Sequence, residues 1–189
     1  MFRWEGKRLV INLNTRQIVK ENISEQEFRK YLGGRGFNIA ILHERLPIGT
    51  KPLEPENILC FGTGLLTGTS VPSSGRYNVT TKAPASGFLG DANSGGFWAP
   101  ELKYAGFDQI VFQGKSSTPV YVQINNNEVL IRGASHLWGK SVWETEYLIK
   151  EEIKDNAVQI ASIGLAGENM VLYAAVMNNL SRAAGRTGI

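Results

Sequence analysis

The feature that most constrains this chain is an order of elements that occurs twice. Leu9 to Leu13 alternates in the strand manner, Asn14-Thr15-Arg16-Gln17 supplies a turn, and Ile18 to Ile23 returns, which predicts a hairpin. Ser24 to Glu27 has the S-x-x-E form of a capping box, with Ser24 as N-cap and Glu27 reaching back to it. The helix it opens carries Phe28, Tyr31 and Leu32 on one face. Gly33-Gly34-Arg35-Gly36 interrupts the pattern, which resumes from Phe37 to Leu46 and stops at Pro47. Ile58 to Phe61 then reads as a buried strand ending in the glycine-rich turn Gly62 to Gly68, and Tyr77 to Thr81 reads as another strand.

The second half follows the same order. Val120 to Ile124 and Glu128 to Arg132 form a hairpin around Asn125-Asn126-Asn127, and Ser141-Val142-Trp143-Glu144 is a second capping box. A helix runs to about Lys154, with Val142, Tyr147 (or Thr145), Leu148 and Ile149 on its apolar side. Val158 to Ile163 is a strand ending in Gly164-Leu165-Ala166-Gly167, and Leu172 to Met177 is the next strand. The two units finish in small-residue loops, Asp91 to Gly96 and Ser181 to Arg186. Strands outnumber helices and the hairpins demand antiparallel pairing, so the class is α+β. The reading is one domain over residues 1–189 with an internal duplication, about 1–95 and 110–189.

Several functions are disfavoured. The formal net charge of +3 comes from scattered Lys and Arg residues; it argues against a nucleic-acid partner and suits an anionic small ligand. A charged start and the lack of any membrane-length apolar run point to a cytoplasmic chain with no membrane partner. Cys60, the one cysteine, sits in Ile58-Leu59-Cys60-Phe61 and reads as a small hydrophobe. Ala134 to Ser141 mimics the spacing of a phosphate loop, but Leu137 and Trp138 are too bulky to wrap phosphates. It reads instead as a hairpin-to-helix connection capped by Ser141. His43 and His136 have no second ligand at metal spacing, and no catalytic residue is assigned in this chain.

The informative segments are Ser73 to Asn78 with Asp91 to Gly96, and Asn178 to Gly188. Each joins small residues to arginine or amide side chains. Small residues expose backbone N–H groups, and arginine offers a planar, permanently charged fork that matches phosphate. Amides can meet the polar edge of a heterocycle, and backbone carbonyls can hold a hard cation. The same residues also suit glycine-rich turns carrying solvated arginines.

Gly64-Leu65-Leu66-Thr67-Gly68-Thr69, Gly75-Arg76-Tyr77-Asn78-Val79, Ala92-Asn93-Ser94-Gly95-Gly96 and Glu101 to Asp108 closely resemble the N-terminal domain of the aldehyde:ferredoxin oxidoreductase family. So do Ile160 to Gly164, Ala166-Gly167-Glu168-Asn169 and Arg182-Ala183-Ala184-Gly185-Arg186. The resemblance implies a sheet-rich base for a tungsten (or molybdenum) bis-pterin cofactor, with Mg²⁺ bridging the pterin phosphates. Carried onto matching positions, Arg76, Asn93, Ser94, Gly95, Gly96, Arg182, Ala183, Gly185 and Arg186 line the cofactor. The carbonyls of Asn93 and Ala183 are the implied Mg²⁺ ligands. The complete enzyme of such a family oxidises aldehydes to carboxylates and passes electrons through a [4Fe–4S] cluster to ferredoxin. The cluster and the acid–base residues belong to later domains. The chain is therefore expected to be a fragment or a separately encoded subunit, partnered by downstream domains and inactive alone. The alternative reading is a non-catalytic metallopterin-binding or delivery subunit.

Overall fold

A computed structural model describes residues 6–188. The first half comprises β1 (Lys7–Asn12), β2 (Gln17–Asn22), α1 (Glu25–Tyr31), α2 (Arg35–Arg45), β3 (Ile58–Thr63), β4 (Tyr77–Lys82), β5 (Leu89–Ser94), α3 (Trp98–Tyr104) and β6 (Gln109–Gln113). The second comprises β7 (Val120–Asn125), β8 (Glu128–Gly133), α4 (Val142–Ile153), β9 (Ala161–Ser162), α5 (Leu165–Glu168), β10 (Val176–Asn178) and β11 (Arg182–Ala184). The mixed α+β class stands.

The first-half strands form one sheet in the order β2-β1-β6-β3-β4-β5. All neighbours are antiparallel except β1 and β6, which run parallel. Period-two alternation divides the side chains between two faces. Leu9, Ile11, Phe61, Val79 and Ile110 share one core, to which Val176 and Ala184 from the second half contribute. Val10, Cys60 and Val111 point the other way, against Ile41 and Leu42 of α2. Cys60 is fully buried there, and burial pushes its thiol pKa up to about 12, so it stays protonated as packing material.

The second half is divided differently. Strands β7 and β8 form a two-stranded ribbon, while β11-β10-β9 form a separate three-stranded sheet. A third core joins them through Ala134, Leu137, Ile149 and Ile160. Leu137 of the phosphate-loop mimic is thus a core residue, and Ser141 caps α4. No helix among the described residues is long and apolar enough to cross a membrane.

Several local expectations need correction. Ser141 and Glu144 form a complete reciprocal capping box, but at α1 only half of one exists. Ser24 accepts from Glu27 N at 3.0 Å, while the Glu27 carboxylate pairs with buried Arg8 instead of reaching back. A buried guanidinium needs a counter-charge more than an exposed N-cap needs a second bond. Asp91 to Ser94 and Arg182 to Ala184 are strand residues rather than loop, because each pairs along its neighbour. Leu172 to Ala175 lies outside β10, and Leu172 and Tyr173 are exposed. Only Ala161 and Ser162 of the expected strand 158–163 pair with a neighbour. On α4, Thr145 and Ile149 are buried whereas Tyr147 is 63% exposed. Helix α3 and strand β6 were not anticipated at all.

Backbone contact explains the glycines between α1 and β3. A Cβ on Gly62 would lie 2.5 Å from the Gly34 carbonyl oxygen, so the start of α2 rests directly on β3. Gly33 bridges to Gly64 in the same contact. The buried amide of Asn38 then ties α2 to the sheet, donating to Thr80 Oγ1 at 3.0 Å and accepting from Gln109 Nε2 at 2.9 Å.

Candidate functional site

Strands β5 and β11 are the outer strands of their sheets and lie beside one another. Their meeting brings segments 75–97 and 178–186 together from opposite halves of the chain. Asn93 pairs with Asn78 on β4, and Ala183 pairs with Met177 on β10. Arg76, just before β4, donates to Asn93 Oδ1 at 2.7 Å. A Cβ on Gly95 would find the Arg182 guanidinium 3.6 Å away and no other neighbour within 4 Å. Arg182 therefore reaches back over the end of β5. Arg76, Asn93, Arg182, Ala183, Gly185 and Arg186 are all exposed, and Gly95 and Gly96 are half-buried.

Arg8, Arg29, Arg35 and Arg45 pair with carboxylates. Among the described residues, Arg16, Arg76, Arg132, Arg182 and Arg186 form no such pair, and of these Arg76, Arg182 and Arg186 belong to the two segments that meet here. Three permanent positive charges thus stand near small residues without a protein counter-ion, an arrangement that favours an anion in their place.

Beneath this surface lies a polar anchor. Asn178 is buried and donates to the Tyr77 hydroxyl at 2.7 Å and to Ser94 Oγ at 2.9 Å. Its side-chain oxygen Oδ1 is buried without a partner. Burial raises the Tyr77 pKa to about 12, against the opposing effect of its bonds to Asn178 and Ser94. The phenol therefore stays neutral and works as a rigid post. Asn179 Oδ1 accepts from Phe97 N at 2.9 Å, closing the two segments onto each other.

Gly96 belongs to this closure. Its φ is +116°, and a Cβ would lie 2.3 Å from Asn179 Oδ1 and 2.8 Å from Asn178 Oδ1. Glycine stands here so that the two halves can interlock. Gly95 is the glycine with open space. Ser94 is buried and faces Asn178, so it supports the surface from below. Gly185 lies at the far end, next to Ala175.

Asn178 and Asn179 escaped individual notice in the sequence because an amide anchor has no spacing signature. The adjacent Asn-Asn at the end of an apolar run was the available signal. Asp91 is likewise held by Arg35 at 2.7 Å and Thr80 at 2.9 Å, which satisfies its charge inside the protein. No group of three or more His, Cys, Asp or Glu side chains among the described residues could hold a metal ion.

Comparison with known proteins gives this geometry a setting. The family model described as aldehyde ferredoxin oxidoreductase, N-terminal domain, matches residues 8–189. The tungsten-containing aldehyde ferredoxin oxidoreductase of Pyrococcus horikoshii is 52% identical over 189 residues, covering all of this chain and 31% of that protein. The aliphatic sulfonate oxidoreductase, WOR-like subunit, of Pyrococcus furiosus is 37% identical over 207 residues, covering 100% of this chain and 32% of that protein. Among solved structures, the active-site complex BamBC of benzoyl coenzyme A reductase with 1,5-dienoyl-CoA superposes with a TM-score of 0.96 at 43% identity. The match covers 99% of this chain and 28% of that one.

Fold and sequence therefore define the leading domain of a class of oxidoreductases. The chain belongs to the aldehyde ferredoxin oxidoreductase family, to which it corresponds as the N-terminal domain. It spans about a third of the length of the curated relatives it matches.

Proposed function

We propose that this chain is the cofactor-holding base of a longer enzyme that oxidises aldehydes to carboxylates and hands the electrons to ferredoxin. The observation that carries the reading is the set of carboxylate-free arginines, Arg76, Arg182 and Arg186, at the junction of β5 and β11. The names of the tungsten-containing relatives point to a metallopterin as the ligand. The residues fit such a group: cationic forks for its phosphates, open space at Gly95, and the exposed residues Asn93 and Ala183, whose carbonyls are oxygen donors.

When bound, the tungsten (or molybdenum) bis-pterin would supply the two-electron redox chemistry. The protein's part is to bind and orient. Arg76 and Arg182 neutralise phosphate by charge-assisted hydrogen bonds, and Arg186 extends the positive surface. The carbonyls of Asn93 and Ala183 would hold a Mg²⁺, a hard cation that prefers oxygen ligands. Asn178, Tyr77 and Ser94 tie β10 to β4 and β5 beneath. The [4Fe–4S] cluster and the acid–base residues are assigned to the remaining two-thirds of the enzyme.

The test is cofactor retention in the full-length protein. Arg76→Ala should reduce metal and pterin content while leaving the melting temperature nearly unchanged. A charge-assisted phosphate contact contributes roughly 1.5–3 kcal/mol, about ten- to a hundredfold in affinity. Arg76→Lys should rescue only in part, because an ammonium cannot reproduce the bidentate fork. Unchanged metal and pterin content in a normally folded Arg76→Ala protein would remove this residue from the site.

A further inference from the structure

One buried amide stands between the two segments of the proposed cofactor site. Asn178, at the end of β10, is only 1% exposed. Its Nδ2 donates to Ser94 Oγ on β5 at 2.9 Å, to the Tyr77 hydroxyl on β4 at 2.7 Å and to the Arg182 carbonyl on β11 at 3.4 Å. Ser94 directly follows Asn93, and Arg182 directly precedes Ala183. One nitrogen therefore holds, on each strand, the peptide neighbour of a residue whose carbonyl is assigned to the cation. Tyr77, the third acceptor, is the sequence neighbour of neither.

Packing alone does not account for this amide. Its Oδ1 is buried and accepts no hydrogen bond, and a buried acceptor without a partner is destabilising. An apolar side chain of similar size would avoid that cost but forfeit all three donated bonds. The surroundings leave room for it. At Gly96, whose φ is +116°, a Cβ would lie 2.8 Å from Asn178 Oδ1 and 3.0 Å from Arg182 Cδ. The turn that follows β10 is held by other groups: Asn179 Nδ2 donates to Gln159 Oε1, and Leu180 N donates to Glu146 Oε2 at 3.2 Å. What Asn178 adds is a tie between β11 and β5, beside Asn93 and Ala183.

We propose that Asn178 is a positioning residue for the cation: through Ser94 and Arg182 it sets how Asn93 and Ala183 stand relative to one another, and so how firmly the pair holds Mg²⁺. The proposal rests on the cofactor reading above. Mg²⁺ is an ion for which such control matters, because it demands near-ideal octahedral geometry, whereas Ca²⁺ accepts longer and less regular ligand sets. A hydrogen-bonded tie fixes direction as well as distance, which apolar contact does not. Loosening it leaves each strand paired in its own sheet, β5 with β4 and β11 with β10. The two strands are then freer to shift against each other.

The test uses full-length protein carrying its metal and pterin and dialysed against EDTA, with retained Mg²⁺ measured by elemental analysis relative to tungsten or molybdenum. Ser94→Ala should lose Mg²⁺ about tenfold faster than wild type, the effect of one hydrogen bond, and Asn178→Ala faster still. Tyr77→Phe removes a bond from the same amide without touching a neighbour of Asn93 or Ala183. It should lower the melting temperature as much as Ser94→Ala does, yet retain Mg²⁺ like wild type. With Mn²⁺ in place of Mg²⁺, the electron paramagnetic resonance spectrum should change in Ser94→Ala and stay unchanged in Tyr77→Phe. Wild-type Mg²⁺ retention in a folded, cofactor-loaded Ser94→Ala protein overturns the proposal. So does Mg²⁺ loss that tracks melting temperature across all three variants, which is what a merely structural amide predicts. Failure of the cofactor reading looks different: wild-type protein would itself carry no Mg²⁺ or no pterin, and this proposal would fall with it.

Discussion

Strand β1 carries Leu9, Val10 and Ile11 into burial between β2 and β6, whereas β7, with Val122 and Ile124 in comparable places, stays half-buried along its length except at exposed Asn125. Both strands alternate, and both sit in hairpins with complete registers. The difference is the neighbour on the other edge. β6 covers β1 and brings its own ion pair, in which Lys103 of α3 meets Asp108 just before β6; each residue is only 1% exposed. Asp108 also accepts from Gly6 N at 2.7 Å, while its carbonyl accepts from Thr63 N at 2.9 Å, so one residue ties β1, β3 and α3 together. The second half holds Glu146 and Lys150 as its nearest analogue, one turn apart on α4 and less buried. Hairpins and patterned strands thus form locally, but a closed core requires the strand between them.

That contrast is most easily broken at the two ion pairs. In the full-length protein Asp108→Ala should cost roughly 3–5 kcal/mol in chemical denaturation, because Lys103 is left charged and buried. Glu146→Ala should cost less, about 1–3 kcal/mol, through its bonds from Lys150 at 2.7 Å and Leu180 N at 3.2 Å. Equal losses would mean that the second half is as tightly organised as the first.

The glycines of the shared surface sharpen the comparison further. Gly96→Ala should destabilise by about 1–3 kcal/mol and lower cofactor content, since it strains a positive φ and pushes against Asn178 and Asn179. Gly185→Ala, whose nearest neighbour is Ala175 Cβ at 3.2 Å, should change the melting temperature little. A normal melting temperature for Gly96→Ala would show that the halves do not interlock there.

The smallest effects are expected at the caps. Ser141→Ala removes a full capping box and Ser24→Ala only half of one, each costing roughly 0.5–2 kcal/mol with the former larger. Hydrogen bonds from the Ser141 backbone and hydroxyl lower the Glu144 pKa below its ordinary 4.5. Arg45, and more weakly Arg8, lower that of Glu21 against the opposing effect of burial. A depressed carboxylate stabilises the fold above its unfolded pKa, and that stabilisation is lost as pH falls through the folded value. Stability should therefore be flat near neutrality and decline below about pH 4.5, with Glu21→Gln and Ser141→Ala each flattening part of the decline. An unchanged acid limb in Glu21→Gln would remove that pair from the account.

Much of this protein was legible without coordinates. Alternation marked both hairpins, S-x-x-E marked the start of α4, and the bulk of Leu137 excluded a phosphate loop, because these depend on residues close in sequence. The arginine and glycine clusters at Arg76, Gly95 and Arg182 were visible for the same reason, as was the family. Tertiary structure decided what distant groups do to one another. Glu27 forms the start of a capping box on paper, yet buried Arg8 claims its carboxylate. Gly96 looks like an open ligand loop, yet its missing side chain admits Asn178 and Asn179 from the other half. Strand β6 has no turn signature, because its place is set by a parallel partner about a hundred residues earlier in the chain. Local pattern sets which segments become strands and helices; burial and charge satisfaction across the chain set which of them meet.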